Sequence, residues 1–122
     1  MESERVEKIE KARTQLKAAL QLYHKKKGDR QLEFLTVAKA FEILFEYTWK
    51  RLKYRIEDEG LFAVSPKEAI RQAATLGLIE DPERWIACAT ARNDSVHDYF
   101  GIPEADYIKL VEEFLELLPG RL

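Results

Sequence analysis

The sequence predicts an all-α protein, a five-helix up-and-down bundle. Apolar residues recur every three or four positions in each long segment, and no segment alternates strictly with period two. Cap and stop residues divide the chain into five such segments joined by short connections, as in helical bundles. The 122 residues are typical of one domain, so residues 1–122 are expected to form a single domain with its own core.

The first two predicted helices differ in how much of their surface is apolar. The first runs from Glu2 to Tyr23 with a narrow apolar stripe, and the break at Gly28 separates it from the second. The second runs to Gly60 and is apolar around most of its circumference, which predicts a central helix buried on several sides. Any side of it left uncovered is expected to be a dimer face.

The three remaining helices are bracketed by capping and stop residues. In SPKE, Ser65 is an N-cap, a proline takes the first helical position, and a glutamate lies three residues after the cap. Asp81 and Pro82 repeat this arrangement. The predicted stop signals of these helices are Gly77 for the third, Phe100 and Gly101 for the fourth, and Pro119 and Gly120 for the fifth, which begins at Pro103.

The amino-acid composition argues against several classes of function. The formal charge of −2 argues against a general nucleic-acid binder, although a local basic groove stays open. The single cysteine, Cys88, excludes an intramolecular disulfide and, with only two histidines, a Cys/His zinc site within one chain. No metal or cofactor is predicted. The charged start MESERVEKIEK and the lack of a run of about 18 apolar residues predict a cytoplasmic protein without a membrane span.

The segment RNDSVHDY, residues 92–99, places nearly every catalytic side-chain type after the apolar run WIACATA. An ordinary reading is the polar end of a helix whose side chains satisfy backbone groups. The functional reading is an active site. Arg92 and His97 are five apart, so they lie about 140° from each other around a helix. They could converge on one substrate if the helix bends or ends there, or if a two-fold axis joins two copies.

The residue types in this segment suit metal-free RNA cleavage. The planar guanidinium of Arg92 can bind a phosphate, and His97 titrates near neutral pH and can move a proton. The histidine would take the proton of the ribose 2′-hydroxyl while the arginine stabilises charge on the phosphoryl oxygens. Asn93, Asp94 and Ser95 would orient the histidine or bind backbone groups.

The pattern of arginine, four residues, histidine, any residue and tyrosine resembles the signature of the HEPN superfamily. It is similar in particular to the small HEPN proteins encoded beside a minimal nucleotidyltransferase, also called nucleotidyltransferase substrate-binding proteins. The resemblance covers most of the chain, including the long apolar second helix and the motif toward the end of the fourth. It implies a homodimer with a cleft at its interface, and in many members a metal-independent ribonuclease that acts as a toxin.

Carried over by position, the resemblance assigns roles to the polar segment. Arg92 and His97 would be the catalytic pair, and Asn93 would support them. Tyr99 would be the tyrosine to which the partner nucleotidyltransferase, the antitoxin, attaches AMP. An alternative within the family is a non-catalytic subunit that binds a nucleotide or substrate for its partner enzyme. A third possibility is a structural helical adaptor.

Two basic segments outside the motif are weaker candidates for RNA contacts. The second helix carries cations interleaved with Trp49 and Tyr54, an arrangement that suits phosphates and bases; these cations are Lys50, Arg51, Lys53 and Arg55. The basic corner at residues 24–30 reads more simply as a solvated helix end. Cys88 lies in an apolar run, which favours a buried small side chain over a nucleophile.

Overall fold

The computed structural model describes residues 2–97, 102–120 and 122, and for residues 2 and 94–97 it describes the backbone only. Within these residues the chain forms five α-helices and no strand, which confirms the predicted all-α class. The helices are α1 (Glu2–Lys25), α2 (Arg30–Asp58), α3 (Pro66–Thr75), α4 (Pro82–His97) and α5 (Glu104–Leu117).

Side-chain caps begin α2 and α3. The carboxylate of Asp29 accepts a hydrogen bond from the Leu32 backbone N–H at 3.0 Å. At α3, the Ser65 hydroxyl accepts from the Glu68 N–H at 3.2 Å, so the predicted cap is confirmed. The Glu68 carboxylate reaches back one residue further than a standard capping box and accepts from Val64 N–H at 3.3 Å.

The start of α4 differs from the predicted arrangement, whereas α5 begins next to Pro103 as predicted. Asp81 has a positive φ of 59°, and its carboxylate lies 3.4 Å from the Arg84 Nε rather than on a backbone N–H. Its carbonyl oxygen instead accepts from the N–H of Arg84 and Trp85. At α5, Pro103 is the N-cap and offers no side-chain bond, since proline carries no side-chain acceptor. The predicted stop of α4 at Phe100 and Gly101 lies outside the described residues.

The second helix is the centre of the bundle, as its apolar circumference predicts. It packs against each of the other four helices. Around its midpoint, Phe41 and Phe45 meet the ring of Phe114 from α5, with centroids 5.5 and 5.6 Å away, and Trp85 of α4 lies edge-on to the same ring at 5.3 Å. All four rings are completely buried. This aromatic cluster holds α4 and α5 against α2 around a shared core.

A polar junction joins α1, α2 and α5 at one end of the bundle. The buried Tyr23 hydroxyl donates to the carboxylate of Glu104 and accepts from Arg30 Nη2 at 2.8 Å. Arg30 also lies over the Tyr23 ring, 4.3 Å from its centroid. His24 next to it lies 3.2 Å from the Glu112 carboxylate. The basic corner predicted from the sequence is therefore partly a set of inter-helix contacts.

Candidate functional site

Arg92 continues the buried stripe of α4. It follows Trp85 by seven residues, nearly two full turns, so both positions lie on the same face. Trp85, Cys88 and Ala89 on that face are buried against the core. The helix therefore directs the stem of Arg92 toward α2, and the guanidinium reaches the edge of the bundle, where the side chain keeps 26% exposure.

Glu46 of α2 receives this guanidinium. Arg92 Nη2 donates to the Glu46 Oε2 at 2.8 Å, and the Trp49 indole N–H donates to the same oxygen at 3.0 Å. Lys50 Nζ lies 3.2 Å from the other oxygen. The carboxylate thus holds three donors, two of them cationic. Glu46 lies in no recognisable motif, and its spacing to Trp49 and Lys50, that of helix neighbours, is the one sequence signal of its position.

Asn93 holds the guanidinium from its other side. Its Oδ1 accepts from Arg92 Nη1 at 3.0 Å. Asn93 itself is exposed, so this contact lies at the surface. Glu46 and Asn93 together fix the plane of the Arg92 guanidinium. Because a guanidinium binds phosphate through two coplanar N–H donors, this plane sets the orientation of a bound phosphate.

The surroundings of Glu46 keep its carboxyl ionised. Partial burial alone raises the pKa of Glu46, but hydrogen bonds from Trp49 and Lys50 and the charges of Arg92 and Lys50 outweigh it, so the net pKa lies below its ordinary value. At neutral pH the three side chains Glu46, Lys50 and Arg92 therefore carry a net positive charge.

A small open cleft of about 270 Å³ lies beside this group. Its lining residues come from α2 and from α4: Lys39, Glu42, Ile43, Glu46, Tyr47 and Arg92. Most ligand pockets measure about 300–1,000 Å³, so the cleft is small for a whole nucleotide but wide enough for a phosphate group.

For the other motif residues, only backbone positions as far as His97 are described. Positions 94, 95 and 97 belong to α4, and the side chains of Asp94, Ser95 and His97 lie outside the described part of the chain. Tyr99 falls wholly outside it. Because α4 is helical through His97, the positions of Arg92 and His97 stay about 140° apart around the axis and about 7.5 Å apart along it.

The cations of α2 separate into two groups. Arg51 is buried and donates through Nε to the Leu122 carbonyl oxygen at 2.9 Å, and Arg55 Nη1 donates to the same oxygen at 3.1 Å. These two arginines hold the C-terminal end of the described chain. Lys50 instead lies on the surface near the Arg92 cleft, and Lys53 is half-buried. Tyr54, between Lys53 and Arg55, is 43% exposed.

Cys88 is buried, in agreement with the apolar run around it. Burial, together with the charge of Glu113, raises the pKa of its thiol to about 12. The group is therefore a neutral thiol at physiological pH, and nucleophilic chemistry is not expected of it. No cluster of histidine, cysteine and carboxylate side chains with metal-binding geometry occurs among residues 3–93, 102–120 and 122, the residues whose side chains are described.

The fold and the arginine-centred cleft define a small helical protein with a candidate anion site. A family model described as "nucleotidyltransferase substrate binding protein like" matches residues 4–117. The chain belongs to this family, which confirms the resemblance found in the sequence. The family's name associates its members with a nucleotidyltransferase.

A solved structure is similar to this chain in fold and sequence. The crystal structure of a protein from Thermus thermophilus matches with a TM-score of 0.64 and 30% sequence identity, over 88% of this chain and 96% of that one. The name of that protein states no activity. No curated protein matches the chain. In the described part of the chain, no helix has the length and apolar character needed to cross a membrane.

Proposed function

We propose that the protein is a metal-independent endoribonuclease, with Arg92 and His97 at a cleft between two copies of the chain. The observation that carries the proposal is the setting of Arg92. Its guanidinium is held by Glu46 and Asn93 and reaches a cleft too small for a nucleotide but suited to one phosphate. An arginine fixed in this way stabilises charge on a phosphodiester without rearranging.

The proposed reaction needs one base and one acid. His97 takes the proton from a ribose 2′-hydroxyl, and the oxygen attacks the adjacent phosphorus. The bond from phosphorus to the 5′-oxygen breaks, and this oxygen leaves with a proton from an imidazolium or from water. The products are a 2′,3′-cyclic phosphate and a 5′-hydroxyl. Arg92 binds the phosphoryl oxygens on which negative charge develops.

Helix geometry supports a dimeric site. On one straight helix, the positions of Arg92 and His97 lie on different faces. A two-fold axis near this end of α4 would bring four residues, two from each copy, around one groove. It would also enlarge the small cleft of a single chain. Homodimerisation is therefore part of the proposal, with Asp94 and Ser95 as supporting residues near the histidine.

A cognate minimal nucleotidyltransferase is the proposed partner and antitoxin. It would attach AMP to Tyr99, two residues after His97. The added phosphate would compete with RNA for Arg92 and block the groove. The family's name, which refers to a nucleotidyltransferase, supports the partner class.

The same name favours a second candidate, a non-catalytic subunit that presents a nucleotide to the partner enzyme. A second, larger groove of about 530 Å³ supports this role, since it combines apolar residues for a base with Arg30. Arg30 lies 3.5 Å from the Glu104 carboxylate in the same groove, so a bound phosphate would replace that carboxylate as its partner. Its lining residues are Arg30, Gln31, Phe34, Leu35, Ile102, Pro103 and Glu104.

RNA cleavage in the presence of a chelator tests the first proposal. The parent protein, checked by mass spectrometry for unmodified Tyr99, is incubated with a panel of single-stranded RNAs beside His97→Ala and Arg92→Ala. The control His24→Ala removes the other histidine, which pairs with Glu112 at the surface of α1. Cleavage by the parent and the control, but by neither motif variant, is expected.

Two results would reject the nuclease. One is equal cleavage by the parent and His97→Ala. The other is no cleavage of any RNA by a folded, unmodified protein, together with calorimetric binding of a nucleoside triphosphate, which would establish the nucleotide-presenting subunit instead. Binding that is lost in Arg30→Gln but kept in Arg92→Ala would place the nucleotide in the larger groove.

A further inference from the structure

A strip of cations and tyrosines extends from the Arg92 cleft along the groove between α1 and α2. On α2, Tyr47, Lys50 and Tyr54 are spaced three and four residues apart, so they form one stripe on the helix. On α1, Arg5 and Lys8 face the two tyrosines. We define the cation–tyrosine strip as these five residues.

Contacts across the groove hold the strip in place. The guanidinium carbon of Arg5 lies 3.4 Å from the centroid of the Tyr54 ring, and Lys8 Nζ lies 5.9 Å from that of Tyr47. Cations at these distances are attracted to the ring faces. Both tyrosines nevertheless remain accessible, at 38% exposure for Tyr47 and 43% for Tyr54. The rings are therefore both oriented and available to a ligand.

The strip is continuous with the candidate active site. Tyr47 lines the same cleft as Arg92, and Lys50 contacts the Glu46 carboxylate that holds Arg92. From Tyr47 to Tyr54 the strip extends about 10 Å along α2, given a rise of about 1.5 Å per residue. The carboxylates of the adjoining cleft are Glu42, which pairs with Lys39, and Glu46, which pairs with Arg92 and Lys50. The three cations of the strip together with Lys39 and Arg92 outnumber these two carboxylates. The strip and Arg92 thus concentrate positive charge on a chain whose formal charge is −2.

Alternating cations and exposed aromatic rings are the chemistry of single-stranded nucleic acid binding. Bases stack on the rings, and the phosphates between them bind the cations, with little dependence on base sequence. We infer that the cation–tyrosine strip binds single-stranded RNA, namely the nucleotides that flank the phosphodiester bound by Arg92. This inference rests on the proposed function, since it gives the proposed nuclease a substrate class, unpaired RNA.

Binding of a 2′-O-methyl RNA oligomer, followed by fluorescence anisotropy, tests the strip independently of catalysis, because this RNA lacks the nucleophilic hydroxyl. Tyr54→Ala should raise the Kd roughly 5- to 150-fold, the range of a lost base–ring stack. Tyr54→Phe keeps the ring and should bind within about twofold of the parent. Arg5→Gln and Lys8→Gln should weaken binding as well.

The salt dependence separates a phosphate contact from a structural effect. If Lys8 binds a phosphate, Lys8→Gln should lower the slope of log Kd against log salt by about 0.7. Lys17→Gln is the matched control, since it removes one exposed lysine from the same helix, nine residues or about 14 Å away and on the opposite side of the helix. It should leave both the Kd and the slope nearly unchanged.

The outcomes distinguish the strip from the nuclease proposal. Parent-like binding by both Tyr54→Ala and Lys8→Gln overturns the strip, even if metal-free cleavage by Arg92 and His97 is found. Absence of any binding by the parent overturns it too. A loss of dimer in Tyr54→Ala, seen by light scattering, would show that the strip contacts a second copy and also overturns it. Binding that depends on the strip, without cleavage of any RNA, supports the strip and rejects the nuclease.

Discussion

Replacement of Glu46 by glutamine should destabilise the fold by about 1–2 kcal/mol at pH 7. Glutamine can keep an oxygen where Trp49 and Arg92 both donate, but it removes the negative charge that attracts Arg92 and turns an NH2 donor toward Lys50. The Lys50 contact is on the surface, with 58% of the lysine side chain exposed, and is worth about 0.3–0.5 kcal/mol. The 2.8 Å contact with Arg92 accounts for the remainder of the loss. Hydrogen bonds to charged groups contribute about 1.5–3 kcal/mol. We take about 1.5 kcal/mol as the upper limit here, because both side chains are partly exposed.

This loss corresponds to a measurable change in melting temperature. Unfolding entropy is about 2.1 cal/mol/K per residue, so 122 residues give about 0.26 kcal/mol/K at the midpoint. A destabilisation of about 1–2 kcal/mol therefore lowers Tm by about 4–8 °C. The same variant should cleave RNA more slowly, because Arg92 is then held by a neutral acceptor and by Asn93 alone.

The difference between parent and variant should depend on pH with a defined sign. The pKa of Glu46 is lower in the folded than in the unfolded chain, so the folded protein binds fewer protons at this group. Its contribution is fully present above the unfolded pKa, near 4.5, and is lost as the pH falls through the folded pKa. The variant lacks this group, so the stability difference between the two proteins should shrink as the pH falls below about 4.5.

Urea denaturation at pH 7 and at pH 3.5, followed by circular dichroism, measures both effects. The control Glu80→Gln removes an exposed carboxylate from the α3–α4 connection and should change stability by less than about 0.5 kcal/mol. A Glu46→Gln variant as stable as the parent at pH 7 would refute the role given to this carboxylate. An equal stability difference at both pH values would refute the argument from ionisation.

Three further predictions concern the scaffold. Cys88, with a thiol pKa of about 12, should react with a thiol reagent at pH 8 only as fast as the chain unfolds, and rapid labelling of the native protein would contradict its burial. Tyr23→Phe removes the hydroxyl between Arg30 and Glu104 and should lower the unfolding free energy by about 1–2 kcal/mol in urea titrations. Ser65→Ala should cost about 1 kcal/mol but Ser65→Gly only a few tenths, and equal losses would show that the hydroxyl does not cap α3.

Local patterns predicted the helices well. Helical periodicity and the Ser65 cap are short-range features, because they depend on neighbours within four residues. The prediction for the start of α4 was wrong in its detail, since Asp81 adopts a positive φ and its carboxylate contacts Arg84 rather than a backbone N–H. Choosing between these arrangements requires the path of the preceding connection, which the residue types do not encode.

The candidate site likewise combines features that the sequence predicts with contacts that only helix packing creates. The sequence by itself determined the all-α class, the family, and the motif that contains Arg92, since these follow from residue identity and spacing. Only the tertiary structure decided that Arg92 meets Glu46, 46 residues earlier, and that Arg51 turns inward while Lys50 stays on the surface. The physical reason is that side chains distant in sequence become neighbours only when helices pack, and the same packing decides which side of α2 each cation faces.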